Sequence, residues 1–389
     1  MKKIKFGVIG LGNQGTHYVV NLFDKGKILN GELVAVCDSN EKKLETLKGK
    51  TSNKQLTYFN DYIKLLDSGL CDAVLVETPH YQHPEIVIAC LKRNVNVICD
   101  KPAGVYTQQV KEMNEVAQNS KAHFAVLFNQ RMNSLYRKMR EMILNGEIGD
   151  LQRVTWIITD WYRSQAYHNS STWRSTWATE GGGALINQNP HQLDLWQWIF
   201  GVPDRVFAKV YCGKYHDIEV EDDVMAFFEY DNGTTGEYIT STGEAPGTNR
   251  LEVACDMGKV VIENNKMLFY KNEISEREFE KINTIPFGKP ACEEIAVDTD
   301  FSGGEQHVGI FKNVVAAINE GAPLLAPLEE GIKGLTISNA IHLSGWTGET
   351  IELKNFPDDR FYDILQEKIK SSTVVKVESK VVADTAGTY

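Results

Sequence analysis

The sequence lacks the features that mark membrane-spanning, secreted and polyanion-binding chains. No apolar run approaches the ~20 residues that a membrane-spanning helix needs. Basic residues are in the minority, with 41 Lys and Arg against 52 Asp and Glu and a net charge of −11. This balance argues against a nucleic acid or an anionic membrane surface as a partner. The first apolar segment begins within a few residues of Met1, so we expect no signal peptide.

Metal-binding and redox motifs are also missing. The seven cysteines are scattered, and none lies in a C-x-x-C pair. The histidines show no H-E-x-x-H pattern. We therefore predict no metal site, and we interpret the cysteines as reduced core residues of a cytoplasmic protein. The length of 389 residues allows two domains, each with its own core.

A glycine-rich turn near the N-terminus is the first informative feature. It follows the apolar run Ile4–Ile9 and precedes a segment with helical spacing. In such a strand, turn and helix, Gly10 permits the tight bend, Gly12 lets the backbone approach a pyrophosphate, and Gly15 lets helix and strand pack closely. The helix N-terminus then offers N–H groups to phosphates. We predict a dinucleotide site formed by Gly10, Gly12, Asn13, Gln14 and Gly15.

An acidic residue follows this turn at the distance that ribose recognition requires. The second apolar run, Leu33–Cys37, ends at Asp38, roughly twenty residues past the last glycine. A carboxylate there accepts hydrogen bonds from both ribose hydroxyls and repels a 2′-phosphate. Asp38 therefore favours NAD over NADP. Lys42 and Lys43 lie just beyond, and they leave NADP open if their loop folds back toward the ribose.

The spacing of apolar residues predicts two different sheets. Strands alternate with helices to about residue 128, which indicates a doubly wound parallel sheet, a Rossmann domain over 1–128. From about Arg153 the strands lengthen and alternate with period two. This pattern predicts a mostly antiparallel open sheet within an α+β domain over 129–370, so the chain is of the α/β class. One continuous helix is predicted over 181–200, and the tail 371–389 has a strand-like core over 373–377.

Several motifs occur in an order that resembles a known family. The glycine turn is followed by Thr78-Pro79 with His83, by Asp100-Lys101-Pro102, by Gln130-Arg131, by Gly146 with Ile148-Gly149, and by Gly181 through Asp194. With these motifs the chain resembles the glucose-fructose oxidoreductase, inositol dehydrogenase and MocA family from about residue 3 to about residue 365. The resemblance implies an N-terminal Rossmann domain that carries NAD or NADP, and a C-terminal α/β domain whose open sheet holds a sugar or cyclitol.

The resemblance also implies catalytic residues. Lys101 matches the lysine of the family's acid-Lys-Pro motif, whose acid is usually Glu and here is Asp100, and whose proline is often cis. His191 matches the catalytic histidine. Asn187 stands where many members have Asp, and an asparagine keeps hydrogen bonds but cannot take a proton. We therefore expect His191 to act as acid and base with Lys101, and Asn187 to hold the reacting oxygen.

Further residues are expected to line the cofactor and substrate pockets. Helical spacing predicts that Asn187, His191 and Asp194 share one face, directed at the substrate. Aromatic rings stack on the apolar faces of a pyranose, and arginines bind its hydroxyl or acidic groups. The predicted cofactor contacts are Thr78, Pro79, His80, His83, Lys101 and Asn129, and the predicted substrate contacts are Arg131, Trp161, Tyr162, Arg163, Trp173 and Asp194.

These residues predict an NAD-dependent dehydrogenase that acts on a secondary hydroxyl of a sugar, glycoside or cyclitol. Two alternatives stay open. Some relatives use transient oxidation by bound NAD to cleave a glycosidic bond by elimination, and a few are NAD(P)-linked regulators without catalysis. We also expect a homodimer or homotetramer formed through the open C-terminal sheet.

Overall fold

A six-stranded parallel sheet forms the first half of the chain in the computed structural model, which describes residues 2–299 and 304–374. The strands are β1 (Ile4–Ile9), β2 (Gly31–Cys37), β3 (Thr57–Phe59), β4 (Ala73–Val76), β5 (Asn96–Cys99) and β6 (Phe124–Val126). The helices are α1 (Asn13–His17), continued by a π-helix (Tyr18–Phe23), then α2 (Glu41–Lys50), α3 (Tyr62–Asp67), α4 (His83–Lys92) and α5 (Thr107–Gln118).

The strand order explains where a ligand binds. The sheet runs β3-β2-β1-β4-β5-β6 with every pair parallel, so the order reverses between β1 and β4. Ligands of such sheets bind outside the carboxyl ends of the strands at this switch point. Gly10 follows β1 there, and Lys101 follows β5, which is separated from β1 by β4 alone. The doubly wound sheet expected from the sequence is confirmed.

A nine-stranded sheet forms most of the second half. Its order is β14-β13-β12-β11-β7-β10-β9-β8-β15, and its pairs are antiparallel except for β7 with β10. The strands are β7 (Leu151–Ile158), β8 (Arg205–Cys212), β9 (Glu221–Glu229), β10 (Thr235–Ser241), β11 (Asn249–Cys255), β12 (Gly258–Glu263), β13 (Lys266–Asn272), β14 (Cys292–Ala296) and β15 (Ile351–Glu352). This mostly antiparallel sheet was expected, whereas β13, β14 and β15 were not predicted.

Helices cover one face of this sheet and reach back to the first. The helices that follow β6 are α6 (Ser134–Leu144), α7 (Gln165–His168), α8 (Pro190–Phe200), α9 (Glu276–Ile282), α10 (Gln306–Glu320), α11 (Leu328–Thr347) and α12 (Asp358–Ser371). Of these, α6, α8, α11 and α12 pack in the core of the nine-stranded sheet. Phe311 of α10 packs in the core beside β1, and Leu335 of α11 packs in the core beside β4. The division at residue 128 stays a prediction, and the structure adds that α10 and α11 pack on the parallel sheet.

The predicted helix over 181–200 is broken in the structure. Gly181 and Gly182 have positive φ, a π-helix covers Ala184–Gln188, and α8 begins only at Pro190. Gly183 lies so close to β9 that an added Cβ would meet the carbonyl oxygen of Glu221 at 2.1 Å. The expectation of one continuous helix was wrong because this glycine turn is fixed by tertiary contact. Residues 375–377 of the strand expected over 373–377 lie outside the described residues, and 373–374 are not in a strand.

Candidate active site

The glycine turn has the shape of a dinucleotide cradle. Gly10 has φ +99°, and an added Cβ would meet the carbonyl oxygen of Glu77 at 2.5 Å. A Cβ on Gly15 would lie 1.9 Å from the oxygen of Gly10. A Cβ on Gly12 would meet nothing within 4 Å. Gly12 therefore presents bare backbone to open space at the start of α1, where Asn13 and Gln14 form the first turn, and this geometry fits a pyrophosphate.

Asp38 is fixed at the end of β2 beside this turn. Its carboxylate accepts hydrogen bonds from Leu11 N at 2.8 Å and from Asn40 N at 2.9 Å. The Lys43 ammonium lies 3.3 Å from the same carboxylate. Since a carboxylate offers about four acceptor positions, one is left for a ribose hydroxyl rather than the two we expected. Lys43 turns toward Asp38 and Lys42 is not among the partners of this carboxylate.

The loops after β4 and β5 bring the expected histidines to the same edge. His80 Nδ1 lies 2.9 Å from the carbonyl oxygen of Glu180, which can only accept, so Nδ1 donates and Nε2 is left as an acceptor. The nitrogens of His83 lie 2.8 Å from Pro102 O and 2.7 Å from Thr78 O. His83 thus ties the two loops together. Its position favours a structural role, whereas Thr78, Pro79 and His80 remain at the strand edge.

Lys101 lies where β5 ends, before a cis peptide bond to Pro102. Its Nζ donates to the main-chain oxygen of Asn187 at 2.8 Å, which joins the parallel sheet to the π-helix. Burial lowers the pKa of Lys101, and the nearby Asp100 carboxylate opposes that shift. Glu77 is a second buried carboxyl of this cluster, and burial raises its pKa. A lysine so placed can exchange a proton more readily than an exposed one.

His191 lies on the first turn of α8 and is 3% exposed. Its Nδ1 is buried and makes no hydrogen bond with any of the described residues. Burial lowers the pKa of His191 well below its usual range, and the charge of Lys101 adds to this effect. His191 is therefore neutral, as a base must be before it accepts a proton, and a ligand hydroxyl would satisfy Nδ1.

A carboxyl that sequence reasoning missed faces Asn187. The Asn187 Nδ2 amide donates to Glu180, whose second oxygen accepts from Ser175 N. Burial raises the pKa of Glu180 to about 7. Glu180 directly precedes the glycine turn 181–183, and this position is the one sequence feature that could have indicated a role in the site.

Tyr167 and Arg174, two further residues that were not predicted, lie beside Asn187 and Glu180 and form one wall of the site with them. Arg174 Nη1 donates to Tyr167 OH at 2.6 Å, and Gln188 Nε2 donates to the same oxygen at 3.2 Å. Arg163 lies 5.1 Å from the centre of the Tyr167 ring.

Three of the four residues expected from the aromatic stretch border this wall. Trp173 packs edge-on to His80 at 5.3 Å, and Arg163 lies 5.4 Å over the Trp161 ring. Tyr162 is 49% exposed, and no contact connects its ring to the group.

Arg131 and Asp194, which we expected to contact the substrate, are instead paired with each other in the interior. Arg131 donates to Asp194 through Nε at 2.7 Å and Nη2 at 2.6 Å, and to Glu330 at 3.0 Å. The side chains of Arg131 and Asp194 are each 1% exposed. Asp194 therefore does not share the direction of Asn187, because the π-helix over Ala184–Gln188 changes the helical phase before α8 begins. Asn129 is also buried, and its Nδ2 donates to Gln306 at 2.7 Å.

This arrangement defines a class of protein: an NAD-dependent oxidoreductase whose Rossmann domain faces a second domain with an open mixed sheet. The chain belongs to the GFO/IDH/MocA family, since residues 4–128 match the oxidoreductase family with an NAD-binding Rossmann fold and residues 136–261 match the GFO/IDH/MocA C-terminal domain. The resemblance seen in the motifs is confirmed.

Named relatives agree with this assignment. The chain is 27% identical to the myo-inositol 2-dehydrogenase of Thermotoga maritima over 67% of this chain and 75% of that protein. It is 23% identical to the levoglucosan dehydrogenase of Pseudarthrobacter phenanthrenivorans over 72% of this chain and 80% of that protein. The crystal structure of the WlbA dehydrogenase from Bordetella pertussis, in complex with NADH and UDP-GlcNAcA, has the same fold, with a TM-score of 0.75 and 22% identity over 90% of this chain and 99% of that chain.

Proposed function

We propose that this protein is an NAD-dependent dehydrogenase that acts on a secondary hydroxyl of a sugar, glycoside or cyclitol. The observation that carries the proposal is the meeting of Lys101, Asn187 and the neutral His191 at the carboxyl edge of the Rossmann sheet. The names of the relatives, which include an inositol and a levoglucosan dehydrogenase, support the substrate class.

Each residue has a defined task in the proposed reaction. NAD, when bound in the cradle, supplies the carbon that accepts a hydride. His191 accepts the proton of the substrate hydroxyl at a ring nitrogen, since burial keeps it neutral. Lys101 Nζ donates a hydrogen bond to the oxygen, and its lowered pKa makes it a stronger donor toward the negative charge that develops there as His191 takes the proton. The Asn187 side chain orients the substrate beside them. Tyr167 and Trp173 are apolar surfaces on which a ring can stack.

The proposal is tested by incubating the purified protein with NAD or NADP and a panel of aldoses, sugar phosphates, glycosides and inositols. We expect NADH absorbance to rise with one substrate class, and faster with NAD than with NADP. Release of an aglycone without net NADH would replace the proposal by the elimination mechanism. Cofactor binding without turnover of any compound would favour the regulatory alternative.

Asp38 and Lys43 together predict how cofactor choice can be changed. Asp38→Asn keeps an acceptor for Leu11 N but removes the negative charge and releases Lys43. We expect the ratio of the Kd for NADPH to that for NADH to fall about 10- to 100-fold, as for the loss of one charge-assisted hydrogen bond. Titration of tryptophan fluorescence measures both constants. In Asp38→Asn/Lys43→Ala the gain for NADPH should shrink to the part that comes from removing the Asp38 charge, and an unchanged gain would show that Lys43 does not meet the phosphate.

The open sheet supports a proposed homodimer or homotetramer. Its outer face exposes a patch on β8 and β9, formed by Phe207, Tyr211, Met225 and Phe227, which is apolar for a solvated surface.

No helix in the described part of the chain is long and apolar enough to cross a membrane. We also propose a cytoplasmic location, supported by the seven cysteines, which are all free thiols in the structure.

A further inference from the structure

Glu180 is a buried carboxyl whose closest side-chain partner is Asn187. It is 3% exposed, and its Oε1 accepts the hydrogen bond from Asn187 Nδ2. Its other oxygen accepts from Ser175 N, and Arg174 Nη1 lies 3.8 Å from Oε1. An ionised carboxylate surrounded by three donors can only accept, so the contact fixes the orientation of the Asn187 amide.

The orientation of this amide matters for any hydroxyl held by Asn187. With Nδ2 directed at Glu180 and 3.4 Å from Tyr167 OH, the acceptor Oδ1 points away from Glu180. Protonation of Glu180 would turn one of its oxygens into a donor. The proton would lie on Oε1, because Oε2 faces the fixed N–H of Ser175, and the Asn187 amide would then reverse to offer Oδ1 in return. The protonation state of Glu180 therefore decides which end of Asn187 is free for a ligand.

We propose that Glu180 is a positioning residue of the reaction site: its carboxylate holds Asn187 with Oδ1 free to accept a hydrogen bond from the substrate hydroxyl beside the reacting one, whose own proton goes to His191. Glu180, which contacts Asn187 directly, thereby supplies the negative charge that Asn187 itself lacks. The inference rests on the proposed function for the identity of that hydroxyl.

The surroundings of Glu180 place this switch near neutral pH. Burial raises its pKa to about 7, and the Arg174 guanidinium counters that shift. Lys101 from the end of β5 and Glu221 from β9 are the other charged groups that face it, and His80 donates to its main-chain oxygen. Below the pKa the protonated acid reverses the amide, so we expect activity to rise as pH increases through neutrality.

The first experiment follows the amide directly and needs no substrate. The protein is labelled with [15N]asparagine, and the Asn187 side-chain resonances are assigned by their loss in Asn187→Asp. We expect these resonances to shift with a midpoint near neutral pH in the wild type and to show no such step in Glu180→Gln. Glu219→Gln is the matched control, because Glu219 accepts from Trp177 N at 2.8 Å without touching Asn187. A step that persists in Glu180→Gln, or is absent from the wild type, overturns the proposal.

The second experiment moves the charge from one residue to the other. With a substrate from the panel, Glu180→Gln should lower kcat about 10- to 100-fold with little change in KM, because the contact aligns the reacting hydroxyl with His191. Asn187→Asp alone places two carboxyls in contact, and it should also be impaired. Asn187→Asp/Glu180→Gln restores a single negative charge and should recover most of kcat. A double variant no better than either single one would assign Glu180 a merely structural role. If the panel yields no substrate, the resonance experiment still decides the inference.

Discussion

Replacing Lys101 by methionine is expected to lower kcat by a factor on the order of 10² to 10⁴, the range found when a positioned acid or base is removed. Methionine keeps the apolar stem of the side chain but cannot donate to Asn187 O, a bond of 2.8 Å, or hold a reacting oxygen. Stopped-flow measurement of NADH formation gives kcat. Titration with NADH should show that the cofactor still binds, because the cradle at Gly10 lies on a different strand.

The control for this prediction is Lys101→Arg. It retains the positive charge beside Asp100 and Glu77, but a guanidinium does not release a proton at accessible pH. We expect it to be as inactive as the methionine variant yet close to wild type in stability. Wild-type turnover by either variant would remove Lys101 from the mechanism.

The two variants should also differ in how their stability depends on pH. Burial raises the pKa of Asp100 and of Glu77, and the charge of Lys101 opposes both shifts. Without that charge the folded-state pKa of each acid rises further above its unfolded value. The unfolding free energy of Lys101→Met should therefore decrease as pH rises through these raised values, and the decrease should be smaller in Lys101→Arg, which keeps the charge. Urea denaturation at acidic and neutral pH measures the difference.

The parallel sheet could be predicted closely because its signals are local. The helices Tyr62–Asp67 and Thr107–Gln118 lie where the apolar spacing placed them, and β4 covers Ala73–Val76 as expected. Each of these segments carries its own apolar pattern, and Asp61 caps the first helix by accepting from Ile63 N. The edge strand Thr57–Phe59 has too few residues to show a period, and it was missed.

The site was less predictable because its geometry depends on distant residues. Helical spacing placed Asn187 and Asp194 on one face, but Glu221 on β9 binds Gly183 N and Leu185 N, each at 2.9 Å, and fixes a π-helix there. No local sequence pattern predicts that contact. Glu180 was missed for the same reason, since only the fold buries it against Asn187. The family motifs identified Arg131 and Asp194 as candidate site residues, but motifs alone could not show that the two side chains bind each other.

That ion pair leads to the largest expected effect on stability. Arg131→Met should lower the unfolding free energy by about 3–5 kcal/mol, because Asp194 is left as a buried charge without its partner. The guanidinium also donates to Leu325 O at 2.9 Å and to Glu330, so it joins the segment after β6 to α8 and α11. The measurement is urea denaturation followed by tryptophan fluorescence.

The pH dependence and a double variant separate this cause from a simple loss of packing. Burial raises the pKa of Asp194, and Arg131 opposes that shift, so without Arg131 the folded-state pKa rises further. The deficit of Arg131→Met should therefore shrink as pH falls through that raised value and Asp194 becomes neutral. Arg131→Met/Asp194→Leu removes both charges and should recover much of the loss, since apolar replacements of buried ion pairs are often neutral. Arg360→Met, which breaks an exposed pair with Glu349, should have little effect at any pH. A deficit that does not change with pH and is not relieved in the double variant would show that packing around Phe128 and Trp198, not charge, is what Arg131 contributes.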